Sequence, residues 1–179
     1  MAETELRKYA VIEKLNKMDV DLIDVTVEAD VDNAGAGSTG DLLFKVTEIP
    51  NAVAVKGGTA ILQSCVAIIE TPGATGAFDV VITSSSTAIT EASDGSAMET
   101  GDSVAAGDNT FAELDATCGF FSITNAFDAG VVAIGDKKNI GMVCKAESNS
   151  KSLYVWGIVQ NTTDYAEKDI VLRLGFVKD

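Results

Sequence analysis

The residue types that most often perform catalysis at neutral pH are scarce in this chain. It has no histidine among its 179 residues. The Ser–His–Asp and Cys–His arrangements and His-ligated metal sites therefore cannot be built within it. Carboxylate pairs remain, since Asp24 with Glu28, or the group formed by Asp164, Glu167 and Asp169, could act as acid and base on a sugar. Charged runs in turns are usually only solvated, so we predict no enzyme and no catalytic residue.

The three cysteines lie far apart, and each is in or beside an alternating apolar segment. Cys65, Cys118 and Cys144 form no Cys-x-x-Cys pair, and no histidine can join them in a zinc site. We therefore predict buried free thiols, no bound cofactor and a chain that folds in a reducing cytoplasm.

Oxygen ligands concentrate in the segments 93–96, 100–102 and 107–109. Their spacing does not fit an EF-hand, which needs acids at alternate positions, glycine at the sixth and glutamate at the twelfth. We predict no metal site, although the sequence leaves calcium binding by the acidic loop 93–109 open.

The charge is strongly negative and unevenly spread. Thirteen Lys and Arg against 27 Asp and Glu give a formal net charge of −14, and no basic residue occurs between Gly57 and Asp136. Such a surface repels phosphate backbones and anionic lipid, so we predict neither a nucleic-acid nor a membrane partner. No apolar run approaches the roughly 20 residues that cross a bilayer, and the acidic start lacks the pattern of a secretory signal, so we expect synthesis in the cytoplasm.

The first residues have a helical period. Apolar side chains at steps of three and four predict a short amphipathic helix within an amino-terminal arm, residues 1–20. This helix either packs on its own domain or docks on a neighbouring subunit. The docking hypothesis assigns the interface to Tyr9, Val11, Ile12, Leu15 and Met18.

From Asp21 onward the period is two, and short β-branched segments alternate with Gly, Asn, Asp and Ser. We predict a mainly β domain over 21–179: a jelly-roll-like antiparallel β-sandwich, with an immunoglobulin-like sandwich as the alternative. The segment 84–117 is a long excursion with few large apolar residues. In Thr59–Glu70, alternation places Leu62 with Val66 and Ile68 on one face and Ile61 with Cys65 and Ile69 on the other, which predicts a central strand covered on both sides.

Two stretches resemble small virion structural proteins of tailed bacteriophages. One is IPNAVAVKGGTAILQS at 49–64 with FDVVI at 78–82. The other is the closing hairpin, LYVWGIV at 153–159, a turn at 162–165 and DIVLRLGF at 169–176. The resemblance implies a head-decoration, or cement, protein on the capsid surface, which binds the assembled major capsid protein and reinforces it. It also implies a homo-oligomer, for which a trimer is favoured.

Two other function classes remain beside this one. A virion fibre or a host-surface carbohydrate-binding protein is the first alternative. A non-viral β-sandwich binding module or enzyme is the second, because one fold serves many functions.

Overall fold

The computed structural model describes residues 20–27, 40, 42–69, 77–87, 89–90, 98–99, 109–111, 114–128, 132–160 and 170–178. Within them the structure is almost entirely strand, with one 3-10 turn at Leu114–Ala116. The strands are β1 Val20–Val27, β2 Leu42–Ile49, β3 Thr59–Ile69, β4 Ala77–Thr83, β5 Ile89–Thr90, β6 Met98–Glu99, β7 Asn109–Phe111, β8 Thr117–Asp128, β9 Ala133–Lys145, β10 Leu153–Val159 and β11 Ile170–Lys178.

The strand pairing is that of one long antiparallel hairpin rolled up on itself. β1 pairs with β11, β2 with β10, β3 with β9 and β4 with β8. Rolling brings β11 against β3 and β10 against β4. Two sheets result, β1-β11-β3-β9 (sheet I) and β8-β4-β10-β2 (sheet II). Eight strands in this order are a jelly roll, which confirms the predicted fold class and not the immunoglobulin-like alternative.

The two sheets join at one side through β8. Its first part pairs with β4 in sheet II, whereas its last residues, from Asn125, pair with β9 in sheet I. On the opposite side the edge strands β1 and β2 lie beside each other. The short strands β5, β6 and β7 form a separate three-stranded sheet between β4 and β8, where the rolled hairpin reverses. The sequence pattern of 84–117 predicts no strands in this part of the chain.

The inner faces of both sheets form one apolar core. Phe44 of β2 meets Phe78 of β4 edge to face, with ring centroids 6.4 Å apart. Gly157 of β10 lies directly over the ring of Phe44, and a Cβ there would overlap that ring. Each large side chain buried in this way contributes about 1.5–3 kcal/mol. The largest fully buried members of this core are Phe44, Phe78, Phe176, Ile49, Leu62, Ile69, Ile82, Ile123, Leu153, Ile170 and Leu172.

Strand β3 differs from the prediction at one point. The register shifts between Leu62 and Ser64, where three residues of β9, 139–141, lie opposite Gln63. Asn139 and Gly141 take positive φ values of 56° and 67° to make this bulge. Against β11, Gln63 is an extra residue of β3, since Gly175 pairs with Ser64 and Phe176 with Leu62. Because this extra residue reverses the alternation of β3, Leu62 lies in the core with Cys65 and Ile69, and its predicted grouping with Val66 and Ile68 is wrong.

The position of β3 inside its sheet agrees with the prediction, but only its inner face is buried. The outward residues Ile61, Val66 and Ile68 are half-buried. The predicted second cover is therefore not supplied by the described part of this chain.

Candidate protein interface

The predicted site residues lie mainly outside the described ranges. Tyr9, Val11, Ile12, Leu15 and Met18 all do, as does the predicted amino-terminal helix, so the helix and the docking interface stay predictions. The acidic loop 93–109 is described only at its strand residues, and Asp164, Glu167 and Asp169 are not described. Of the pair Asp24 and Glu28, only Asp24 lies in the described part.

The outer face of sheet I carries a row of aliphatic side chains, one from each strand. Register aligns Val20 with Val177, Val177 with Ile61, and Ile61 with Val143. Val20 is 53% exposed and Val143 is 64% exposed. Leu22, two residues after Val20 on the same side of β1, is 64% exposed. We call Val20, Leu22, Ile61, Val143 and Val177 the aliphatic face.

A glycine lets this face lie close to the sheet. Gly175 is opposite both Leu22 and Ser64. A Cβ at Gly175 would stand 2.5 Å from Ser64 Oγ and 3.5 Å from both Leu22 Cδ2 and Val20 Cγ1. The missing side chain therefore leaves room for Leu22 and Val20 to lie over β11, which keeps the face flat.

A charged row follows the aliphatic face along the strands. Asp24 and Arg173 are cross-strand partners, and the Arg173 guanidinium donates from Nε to Oδ1 at 2.7 Å and from Nη2 to Oδ2 at 2.9 Å. These hydrogen bonds and the guanidinium charge hold the pKa of the Asp24 carboxyl below its ordinary value. On the opposite side of these strands, in line with Phe176, Lys178 pairs with Asp21 at 2.6 Å. On the outer face, Lys138 pairs with Asp136 at 3.0 Å. Such exposed pairs add little stability, but they fix the charges in place on this face.

Sheet I is the basic part of an acidic protein. Its four strands hold five Lys or Arg and three Asp, whereas the rest of the chain holds eight Lys or Arg and 24 Asp or Glu. Aliphatic side chains beside a row of paired charges, on a sheet with a small positive excess, suit an acidic, partly apolar protein surface. This face is not visible in the sequence because its residues come from four separate strands, and only the spacing of Val20 and Leu22 indicates it.

The outer face of sheet II is arranged differently. Trp156, Val81 and Leu42 form a small second cluster in which Trp156 is 0% exposed. Beside it on β8, Phe120 is 66% exposed.

A polar group lies next to Phe120. Ser122 Oγ donates to Asp79 Oδ1, and Gln160 Nε2 donates to Asp79 Oδ2, each at 2.6 Å. Ser122 and Asp79 face each other across β8 and β4. An exposed aromatic ring beside a fixed carboxylate is the kind of arrangement that can hold a sugar.

The described cysteines occupy two environments. Cys65 lies alone in the core, where burial raises its pKa to about 12. Cys118 and Cys144, which the sequence separates widely, are in hydrogen-bonding contact. Cys144 is buried, as predicted for all three, whereas Cys118 is half-buried.

Two structural findings concern other kinds of site. In the described ranges, no three Cys, Asp or Glu side chains cluster in a way that could hold a metal ion. In the same parts of the chain, no helix has the length and apolar character needed to cross a membrane.

No protein family and no curated protein matches the sequence. Among solved structures, the chain is similar to one from Desmodium yellow mottle tymovirus, with 12% identity over 89% of this chain and 85% of that one and a TM-score of 0.26. It is also similar to the Tobacco streak virus coat protein, with 11% identity over 88% of this chain and 86% of that one and a TM-score of 0.25. Similarity at this level carries no argument, so the assignment of a jelly roll rests on strand order and register.

Proposed function

We propose that this protein is a structural component of a tailed-bacteriophage virion that decorates and reinforces the assembled head. In this proposal the protein is made in the host cytoplasm and binds the major capsid protein on the outer surface of the shell. The observation that carries the proposal is the aliphatic face, a row of exposed and half-buried Val, Leu and Ile side chains on a sheet with excess positive charge.

The fold and the sequence resemblance support the same function class. Jelly rolls are a common architecture of viral capsid domains, although lectins and cupins share it. The stretches 49–64 and 153–176, which carry the resemblance to small virion proteins, contain β3's start, β10 and most of β11. Of the aliphatic face, these stretches contain Ile61 on β3 and end one residue before Val177 on β11.

Charge orients the proposed contact. A protein of net charge −14 is repelled by other acidic surfaces unless it presents a locally basic one. Sheet I is that surface, so an acidic apolar region of the shell would be approached by sheet I first. Burial of the aliphatic face would then supply affinity, while the ion pairs around it set the register.

The size of the face implies a second contribution to binding. Four strands about 4.8 Å apart and about 20 Å long give a projected area of roughly 400 Å². A standard interface buries about 800 Å² on each partner. The arm, residues 1–20, leads directly into β1 at Val20, and its predicted apolar stripe would add contact area beside this face. We propose that the arm contacts a neighbouring copy, with a trimer as the favoured oligomer.

The direct test uses shells that lack this protein. Purified protein is mixed with undecorated capsids and with expanded shells, and bound protein is measured by co-sedimentation. We expect saturable binding and, in electron microscopy, density at repeated positions on the outer surface with three-fold local symmetry. Absence of binding to any assembled shell would overturn the proposal, and a monomer at each position would overturn the trimer alone.

A second candidate function rests on Phe120 and the polar group of Asp79, Ser122 and Gln160. This arrangement supports the alternative of a fibre or host-surface carbohydrate-binding protein. Glycan-array binding that is lost in Phe120→Ala, together with no binding to shells, would favour it over decoration. Binding to shells with no glycan signal would dismiss it.

A further inference from the structure

Cys118 and Cys144 meet where the two sheets separate. β8 and β9 pair only over the end of β8 and the start of β9, from Asn125 with Gly135 to Asp128 with Ala133. Cys118 lies at the other end of β8, where this part of the strand belongs to sheet II, and Cys144 pairs with Ala60 in sheet I. Cys118 and Cys144 thus belong to different sheets, beyond the last backbone pairing of β8 with β9, and both pack in the one core between the sheets.

Local geometry holds the two strands close at this point. A register irregularity between Ile82 and Thr83 on β4 leaves Cys118 as an extra residue between Thr117 and Gly119. A Cβ on Gly119 would stand only 3.0 Å from Met142 Cε. The absence of a side chain at Gly119 lets β9 approach β8, and the Cys118 and Cys144 side chains are in hydrogen-bonding contact there.

The Cys118 and Cys144 thiols differ in pKa and in exposure, which suits thiol–disulfide exchange. The neighbouring Cys144 thiol and the Lys145 backbone N–H lower the pKa of Cys118 to about 7. The Cys144 thiol also donates to the Met142 backbone carbonyl at 3.8 Å. The same contact and burial raise the pKa of Cys144. Cys118 is half-buried and Cys144 is buried. At neutral pH, Cys118 is thus the partly ionised, accessible thiol, and Cys144 is the adjacent thiol that can complete a bond.

We propose that Cys118 and Cys144 form an intramolecular disulfide when the protein leaves a reducing compartment, and that this bond joins sheet I covalently to sheet II. The oxidant is a small-molecule disulfide such as oxidised glutathione. The Cys118 thiolate attacks one sulfur of that disulfide and releases one glutathione thiolate. Cys144 then loses its proton and attacks Cys118 Sγ, which releases the second glutathione. Two protein thiols are oxidised, one disulfide is reduced to two thiols, and the two protons pass to the glutathione products.

The disulfide would restrict the conformations of the unfolded chain as well as join the two sheets of the folded one. It closes a loop of about 25 residues, and a loop of that size is expected to raise the Tm on the order of 10 °C. The disulfide would also hold the two sheets together on the side of the sandwich where β8 and β9 have no backbone pairing near Cys118 and Cys144. A protein that folds with free thiols and is later exposed to an oxidising medium would gain this stability after folding. The inference does not depend on the proposed function.

The test is a redox titration of the purified full chain. Protein prepared in reductant is equilibrated with mixtures of reduced and oxidised glutathione, and free thiols are trapped by alkylation at each step. We expect two of the three thiols to be lost together, intact mass to fall by two hydrogen atoms, and the peptides of Cys118 and Cys144 to be linked. The oxidised form should melt on the order of 10 °C above the reduced form.

Three variants control the assignment. Cys65→Ser should keep the full redox-dependent shift in Tm, since Cys65 lies alone in the core. Cys118→Ser, at a half-buried position, should fold and lose the shift, and Cys144→Ser should lose it too. Three unlinked thiols in the oxidised wild type, a linkage that includes Cys65, or equal Tm values for the linked and reduced forms would each overturn the proposal. All three of these outcomes are measured on the wild-type protein, so they can be read even if a variant fails to fold.

Discussion

The outer faces of the two sheets differ in how far their apolar side chains are buried. Both have apolar residues at outward positions of strands that alternate. On sheet II, the single tryptophan of the chain fills the centre, and Trp156, Val81 and Leu42 are buried within the protein. On sheet I, the aliphatic face takes two side chains from β1 and one from each of the other strands, and Val20, Leu22 and Val143 stay more than half exposed. The comparison indicates that outward apolar residues support folding on sheet II and are available for binding on sheet I.

Removal of the tryptophan should have the largest effect on stability. Trp156→Ala deletes the centre of the buried outer cluster and should lower the free energy of unfolding by about 3–5 kcal/mol. Val143→Ala, its matched change on sheet I, should alter it by no more than about 0.5 kcal/mol. Urea unfolding followed by far-ultraviolet circular dichroism measures both, since the first variant lacks the fluorophore. Equal losses would show that Val143 is covered within the folded chain, which would remove the contrast.

Charges placed on the aliphatic face should abolish binding and spare the fold. In the double variant Leu22→Asp and Val143→Asp, affinity for undecorated capsids should fall at least about 100-fold, because two central contacts are replaced by charges that must be desolvated. Phe120→Asp is the control, since Phe120 is equally exposed on sheet II. Its co-sedimentation should match the wild type. If Phe120→Asp weakens binding and the double variant does not, sheet II is the contact surface.

Deletion of residues 1–18 should separate the arm from the sandwich. A helix of about 15 residues is marginal by itself, so its apolar stripe needs a cover, either the body or a neighbour. We expect the Tm of the truncated protein to change by only a few degrees and its capsid binding or self-association to weaken about tenfold, as expected for the loss of part of the interface. An unfolded truncated protein would assign the helix to the core of its own domain. Undiminished binding would remove the arm from the interface.

The smallest effect concerns the charged row beside the aliphatic face. The pKa of Asp24 is lower in the folded protein than the value of about 3.9 in an unfolded chain. The pair therefore contributes stability above that unfolded value, and the contribution is lost as pH falls through the lower, folded value. Since both groups are exposed, the effect on Tm should be slight.

A direct titration gives the sharper measurement for this pair. Followed by carboxyl carbon NMR, Asp24 should titrate below its ordinary range in the wild type. In the Arg173→Met variant, Asp24 should titrate in the ordinary range, and the Tm of the variant protein should depend less on pH in the acid region. An unchanged Asp24 titration in this variant would show that Arg173 does not hold that carboxylate in solution.

The sequence predicted where the strands are far better than which residues meet. Alternation located β1, β2, β4, β10 and β11, because each is a short β-branched run between turn residues. In the sequence, charged residues separate the apolar piece at 131–134 from that at 140–144, whereas β9, Ala133–Lys145, joins the end of the first piece to the second through the bulge at 139–141. Strands β5, β6 and β7 have only two or three residues each, too few to show a period.

The candidate site was beyond prediction for a similar reason. Val20, Ile61, Val143 and Val177 come from the two ends and the middle of the chain, and nothing local marks them as neighbours. The cysteines were interpreted as three isolated thiols, since no spacing rule joins Cys118 to Cys144. Register decides both, and register depends on pairing between distant strands.

What the sequence by itself determined is the class of the molecule: period-two segments, sparse helix, a charge of −14 and no histidine require a mostly β, acidic protein without histidine chemistry. What only the tertiary structure decided is which side of each strand is inside. Gln63 is an extra residue relative to β11 and reverses the alternation of β3, so that Leu62 faces the core and the half-buried Ile61 joins the outer aliphatic row. The physical reason is that one extra residue turns every later side chain to the opposite face, and the energy that favours the bulge comes from packing against residues far away in the sequence.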